Sequence, residues 1–524
     1  MAPLLTVYFT SDVHGYLYPT NFQNAEPHPM GLLSMRFPKD ENTLVIDGGD
    51  MLQGSPLTYF GRSQSVDLPI ARAMNRRGYD YITLGNHDFN YGRSNLRRYL
   101  SELNARCLCA NVDDLRGELP ILPCAVHTLG NGLRVGLVGI VTDWINRWEK
   151  PENLMDLSVV SPLERAKKAV ASMDCDVLVG IYHGGIERDP ETGRLLSSTD
   201  ENIACRLCDE IPFDLLLTGH QHMAVAGARW NHTHLVQTPC NGTAYIKVEM
   251  DADRHFTSVL CPVSDHAELT EEESLLFNRV NKWLDFPIGR LSRAMWPEDK
   301  LKMATQGTPI ADFFNRVQLW ASDADISCAA LANSVRGFDR NVTVRDVVAT
   351  YVYPNTLKIL QVSGAVLRQA LEQCARYFDR DSQGNLSISE SFLLPKEAHF
   401  NYDYFSGIEY TFDLSRPAGQ RVVSLTRRGE PVTDTQTFTL CMCDYRATGA
   451  GDFDFYQSCP VVREIQTDIS ELILRYLETH KLVKIPSRHP LKVLMNRRTN
   501  DNPPESARAK AQPAPPEQGQ FQRE

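Results

Sequence analysis

The chain has 524 residues, 42% of them hydrophobic and 23% charged, with a formal net charge of −11. This is ordinary globular composition, with length enough for two or three domains and a large core. The acidic balance argues against a protein that works on nucleic acid polymers or acidic membranes, because a phosphate backbone needs a basic surface.

The opening "MAPLLTVYFTSDVHG" has no basic n-region, no long apolar stretch and no small-residue cleavage site. Leu4–Phe9 is too short to span a bilayer and reads as a first strand. The 13 cysteines are an odd number without a framework, as expected of reduced thiols in a cytoplasmic protein. Cys205 and Cys208 form a CxxC inside the helical pattern "DENIACRLCDEI", and no second CxxC exists to complete a zinc site.

Apolar runs occur at Leu4–Thr10, Leu44–Ile46, Tyr79–Leu84, Val135–Val141, Val177–Tyr182 and Leu215–Thr218. Helical patterns such as "DLPIARAMNRRG", with Gly78 as its stop, lie between several of them. This alternation predicts an α/β domain over 1–265, closed by the strand "AYIKVEM". "LTEEESLLFNRVNKWLDF" has Thr270 to cap a helix, acidic residues in its first turn, and a stripe of Leu275, Leu276, Val280 and Leu284. It predicts a connector helix in the segment 266–299. A second α/β domain is expected over 300–496. There Thr308 and Pro309 start one helix, "LKILQVSG" and "TFTLCMC" read as strands, and "GAVLRQALEQCARYF" as another helix. Residues 497–524 are polar and proline-rich and read as a disordered tail.

The strand ends carry the chemistry. The first run ends in "SDVHG" with Asp12 and His14, and the second in "IDGGD" with Asp50. "YITLGNHD" supplies Asn86 and His87, "IYHGG" His183, and "LTGHQH" His220 and His222. In an α/β sheet, ligands bind beyond the carboxyl ends of strands, where side chains from distant segments converge. Five of the 14 histidines fall at these ends. Carboxylate, amide and imidazole together suit zinc, manganese or iron, and a set without cysteine argues against a purely structural zinc. Seven candidate ligands exceed what one ion needs and suffice for two if a carboxylate bridges.

"DVHG", "GDMLQGS", "GNHDFNYG", "YHGG" and "GHQH", in this order, resemble the calcineurin-like metallophosphoesterases. "DGGDMLQGSP", "YPNTLKILQVSG" and "DYRATGAGDF" narrow the resemblance to the 5′-nucleotidase family, from Leu4 to about Leu494. The resemblance implies a four-layer α/β/β/α metallophosphoesterase domain, then a smaller α/β nucleotide-binding domain that can rotate to carry substrate to the metals. It implies two divalent ions, manganese, zinc, cobalt or similar. Asp12, His14, Asp50 and His222 would hold one ion. Asp50, Asn86, His183 and His220 would hold the other, with Asp50 shared. His87 would face the phosphate and assist the leaving oxygen while water attacks phosphorus.

Many members of the family place an Asp three residues after this His; here the position is Asn90. That brings the chain closer to the cyclic-nucleotide phosphodiesterase/3′-nucleotidase branch. For the nucleobase, the resemblance implies two stacking aromatics, Phe405 as the first and Phe453 or Tyr445 as the second. Arg336 and Arg376, with Asn333 assisting, would contact nucleotide or phosphate. The expected substrate is a nucleoside 5′-monophosphate, with 2′,3′-cyclic nucleotides and 3′-nucleotides, or UDP-sugars, as alternatives. A nucleotide-binding protein with weakened turnover and a DNA exonuclease are the readings from other classes; the acidic balance disfavours the second.

Overall fold

The computed structural model describes residues 3–495 except Ala25, 197–199, Pro354 and 394–396. The tail expected over 497–524 lies outside the described residues.

The apolar runs form strands. Leu5–Thr10, Thr43–Asp47 and Tyr81–Ile82 are neighbours in a seven-stranded sheet. Arg134–Val141, Val177–His183 and Leu215–Thr218 are neighbours in a six-stranded one. Within each trio the pairing is parallel: Thr10 lies opposite Asp47 and Asp47 opposite Ile82, while His183 lies opposite Val141 and Tyr182 opposite Thr218. Parallel pairing in this register sends the carboxyl ends of each trio to one rim, where ligands collect. Ala244–Met250 pairs antiparallel with the first strand.

Alternation along each strand divides its side chains between two layers. Val7, Phe9, Leu44 and Ile46 of the first sheet meet Val135, Leu137, Val179 and Ile181 of the second. Tyr8, Val45 and Ile82 point the other way, into a core shared with Phe60, Met74 and Leu96 of three covering helices. On the opposite side Leu163, Ala166 and Leu207 pack against Val138, Leu178 and Leu216. The result is the expected α/β/β/α stack. Cys205 and Cys208 sit on the helix Ala204–Glu210, both buried, and burial pushes each thiol up to about 12. They are packing residues.

The helix Glu271–Leu284 starts at a capping box of Thr270 and Glu273. Leu276, Val280 and Leu284 are buried, but Leu275 is 61% exposed, contrary to its place in the expected stripe. It precedes the i, i+4, i+8 row by one residue, which turns it about 100° away. The helix joins both parts of the chain. Arg72 and Arg76 pair with Glu272 and Glu273 at 2.6 and 2.8 Å, and Arg345 pairs with Asp285 at 2.6 Å.

Beyond it a five-stranded sheet runs in the order Asp403–Ser406, Ile326–Ala330, Thr437–Cys443, Leu357–Ser363, Val461–Ile465. The helices Pro309–Ser322 and Gly364–Ala375 form where the sequence predicts them. Among the described residues, no helix is long and apolar enough to cross a membrane.

Candidate metal centre and cleft

Seven side chains from strand ends of both sheets converge on the rim. Asp12, His14 and His222 bring ligand atoms within 4.8 Å of one another, and so do Asp50, His183 and His220. Asn86 Oδ1 joins the second group, 3.1 Å from His183 Nε2 and 2.9 Å from His220 Nδ1. The backbone is bent to achieve this. Asp12, His14, Asp50, His220 and His222 all adopt positive φ, between 52° and 72°. A non-glycine residue held there costs about 1–3 kcal/mol, and such strain clusters at functional sites. Gly85 is required next to them, because a Cβ there would lie 2.1 Å from Asp50 Oδ1.

The hydrogen bonds show which ring atoms face inward. His14 Nδ1 lies 2.7 Å from the Gln53 carbonyl and His183 Nδ1 2.7 Å from the Gly48 carbonyl. His220 Nε2 lies 2.9 Å from Glu201 Oε1. Carbonyls and carboxylates only accept, so each of these nitrogens carries the proton and the opposite nitrogen presents a lone pair to the centre. Outward N–H bonds of this kind are the usual support of metal-ligating histidines. His14 Nε2 and His222 Nε2 approach to 3.0 Å. Asp50 Oδ2 is buried without a hydrogen-bond donor, although His183 Nε2 is 3.1 Å away. A mostly buried cluster of acceptors with an orphaned carboxylate oxygen suits two divalent cations.

The electrostatics agree. Burial, reinforced by His222, pulls His14 down to about 4. Burial also opposes charge on His183, but Asp50 and Asp12 outweigh it and push that imidazole up to about 9. The same negative potential would favour a divalent cation there, which would displace any proton from the inward nitrogen.

Asn86 and His87 share a 3-10 turn, Asn86–Phe89, at the end of the third strand. The His87 N–H donates to Asp50 Oδ1 at 2.7 Å, and His87 Nδ1 lies 2.7 Å from Asn90 Oδ1. Asp88 points away, as its neighbours require. Its carboxylate accepts the backbone N–H groups of Gly85, Asp50, Met51 and Leu52 at 2.8–3.0 Å, so it holds the metal-site loops together.

The centre opens into a cleft of about 1460 Å³ walled by both parts of the chain. His14, Asp50, His87, His220 and His222 form its floor; Tyr353, Lys358, Tyr445 and Asp468 face them from the C-terminal part. Polar links cross the cleft. Gln53 Nε2 donates to Asp468 at 3.2 Å and Glu471 at 3.1 Å, and Lys358 Nζ lies 3.8 Å from Glu201. Burial raises the Asp468 carboxyl to about 6.

The structure divides the residues expected to bind the base and phosphate. Tyr445 lines the cleft, 42% exposed, with Phe400 6.3 Å from it and Tyr353 6.2 Å from Phe400. Phe405 does not. It is fully buried on the strand Asp403–Ser406, edge-on to Tyr410, so its ring has no free face. Phe453 is likewise buried, stacked on Tyr456 and covered by the Arg446 guanidinium at 4.1 Å. Asn333, Arg336 and Arg376 are not among the cleft-lining residues. Asn333 bonds Glu397 O and His399 N, Arg336 pairs with Asp346 at 3.4 Å, and Arg376 ends the helix Gly364–Ala375 at the surface.

Sequence reasoning missed Gln53, Glu149, Glu201, Lys358 and Asp468. Each is a single polar residue in a loop, at a helix end or on a strand; Gln53 has Gly54 beside it, but none of the five directly follows an apolar run as the candidate ligands do.

Comparison with known proteins gives two adjacent family matches: calcineurin-like phosphoesterase over residues 5–224 and 5′-nucleotidase, C-terminal domain, over residues 287–458. A crystal structure from Staphylococcus aureus, provisionally a 5′-nucleotidase, is 35% identical, with a TM-score of 0.68 over 93% of this chain and 99% of that one. The 2′,3′-cyclic-nucleotide 2′-phosphodiesterase/3′-nucleotidase of Salmonella typhimurium is 25% identical over 78% of this chain and 74% of its own length. The trifunctional nucleotide phosphoesterase YfkN of Bacillus subtilis is 23% identical over 91% of this chain, which spans only 38% of that protein.

Proposed function

The chain belongs to the calcineurin-like phosphoesterases that carry a 5′-nucleotidase C-terminal domain, and from this premise we propose that it hydrolyses nucleotide phosphoesters, nucleoside 5′-monophosphates foremost. The observation that carries the reading is the cluster of inward-facing lone pairs: His14, His183 and His220 bonded outward, with Asp12, Asp50 and Asn86 among them. Bound there, two divalent cations supply an activated water and a clamp on the phosphoryl oxygens.

The chain's own groups do the rest. His87 lines the cleft floor beside the cluster, where it would face the phosphoryl group of a bound nucleotide. Its Nε2 is the atom that gives a proton to the leaving oxygen. Tyr445 and Tyr353 supply ring faces for a base on the opposite wall, and stacking of this kind tolerates any base. The links from Gln53 and Glu201 to the C-terminal part tie the two walls of the cleft together beside the reacting atoms.

Asn90 favours a second reading, hydrolysis of 2′,3′-cyclic nucleotides and 3′-nucleotides, which is also what the name of the Salmonella relative describes. Hydrolysis of AMP, 3′-AMP, 2′,3′-cyclic AMP and UDP-glucose separates these readings. Phosphate release reports on the two monophosphates, and chromatography follows the cyclic nucleotide and UDP-glucose, whose first cleavage frees no phosphate. The protein is first stripped by chelation and then given manganese, zinc, cobalt or calcium. Turnover should vanish on chelation and return with metal; full activity in the stripped protein would overturn the proposal.

A further inference from the structure

Asn90 stands between His87 and a carboxylate. Asn90 Oδ1 faces His87 Nδ1 at 2.7 Å, and Asn90 Nδ2 donates to Glu149 Oε2. Glu149 is itself held. Its other oxygen accepts from Asn153 Nδ2 at 2.8 Å and from the Lys150 N–H at 2.7 Å, and its own N–H bonds the Ile145 carbonyl at 2.9 Å. Asn153 Nδ2 also donates to the Asn90 carbonyl at 3.0 Å, which closes a ring of bonds around Asn90.

An asparagine amide can present either end to a histidine, and by itself leaves the ring tautomer undecided. An ionised carboxylate can only accept. Glu149 therefore turns the Asn90 amide so that N–H faces the glutamate and oxygen faces His87. That oxygen also only accepts, so His87 Nδ1 must carry a proton, leaving Nε2 free to gain or lose one. With the amide reversed, Nδ1 would accept and the neutral ring would keep its proton on Nε2.

We propose that Glu149 is a positioning residue: acting through Asn90, it fixes the proton on His87 Nδ1 and so makes Nε2 the atom that exchanges a proton with the leaving group. The inference rests on the hydrolytic function proposed for the chain. In the step it serves, water adds its oxygen to phosphorus. The P–O bond to the leaving group breaks with its electron pair on the leaving oxygen, and the proton on Nε2 passes to that oxygen. His87 is left neutral with Nδ1–H intact, and the proton lost by water returns to solvent.

The test uses the full chain, labelled with 15N-histidine and loaded with zinc; the His87 signals are assigned by their loss in His87→Gln. Wild type should show a protonated Nδ1, and Glu149→Gln should show the Nε2–H tautomer or a mixture, because glutamine can also donate. On the best substrate of the panel, Glu149→Gln should lose about tenfold or more in kcat with little change in KM. Asn90→Asp alone should also lose, since it sets two carboxylates against each other. The double variant Asn90→Asp/Glu149→Gln should recover most of the wild-type rate, because an acceptor-only group again faces Nδ1. A residue that merely supports its loop would show no such rescue. An unchanged tautomer in Glu149→Gln, or a double variant no faster than either single one, would overturn the proposal. If wild type hydrolyses none of the four substrates, the hydrolytic reading fails, while the tautomer comparison still decides the role of Glu149.

Discussion

Replacing Asp50 by asparagine removes a charge and almost no volume, which makes it the sharpest probe of the metal centre. Asp50 is 1% exposed, and it is the only carboxylate in the group with His183 and His220. Its Oδ1 accepts the His87 N–H at 2.7 Å, and an amide oxygen can do the same, so the loop should keep its shape. What is lost is the negative charge behind the orphaned Oδ2. Leaving a buried charge without its partner costs about 3–5 kcal/mol. At about 1.4 kcal/mol per decade, that weakens binding by roughly 10² to several thousandfold. Equilibrium dialysis against manganese, with the metal counted per chain, reads the effect directly. Thermal melts supply a control. A site filled at 100 times its Kd stabilises the fold by about 2.7 kcal/mol, so manganese should raise the wild-type melting temperature and do far less for Asp50→Asn. With chelator present the variant should itself melt somewhat lower than wild type, because burial opposes the Asp50 charge but His183 and His87 outweigh it and hold that carboxyl well below its ordinary value; the control is therefore the manganese-induced rise in each protein, not its absolute melting temperature. A variant that still held two ions per chain at wild-type affinity would show that Asp50 is not a ligand.

Glu201→Gln should weaken manganese binding by about 10–100-fold by calorimetry, since the carboxylate at 2.9 Å fixes the His220 ring from its far side. Tyr445→Ala should raise KM for nucleotides, by about 1–3 kcal/mol of lost stacking, and leave turnover of p-nitrophenyl phosphate unchanged; equal losses on both substrates would remove Tyr445 from base recognition. Asp88→Asn should destabilise the chelated protein in urea by ~1–3 kcal/mol for each of two backbone donors left facing an amide NH2. Asp114, bonded to Arg93 at 2.5 Å and to the N–H of Leu119, is held well below the ordinary carboxylate value. A depressed folded-state value means stability that is present above the unfolded carboxylate pKa of about 3.9 and lost below it. Asp114→Asn should therefore flatten the acid limb of a stability–pH curve and leave the alkaline limb alone.

Most of the fold was legible because its signals are local. A buried parallel strand reads as an unbroken apolar run, and the runs ending at Thr10, Val141 and Thr218 end there in the structure. The candidate metal ligands were legible for a related reason: each stands just beyond such a run, so a rule about strand ends finds them without knowledge of the partners. The aromatic residues were not. Phe405 and Tyr445 look alike in sequence, and only packing tells that one ring lies in the core and the other on a cleft wall. Leu275 shows the same limit on a helix, where one position separates a buried row from solvent.

The sequence alone determined the α/β alternation, the strand ends at which ligands could gather and the residue types able to bind cations, because these come from periodicity and from the few residues just past each strand; the four-layer stack came from family resemblance. Only the tertiary structure decided that Glu149 stands behind Asn90, that Glu201 stands behind His220, and that Lys358 and Asp468 reach across from the other half of the chain. Those contacts join residues 59, 19, 157 and 415 positions apart. No local pattern encodes a pairing of that kind; it exists only once the chain has closed on itself.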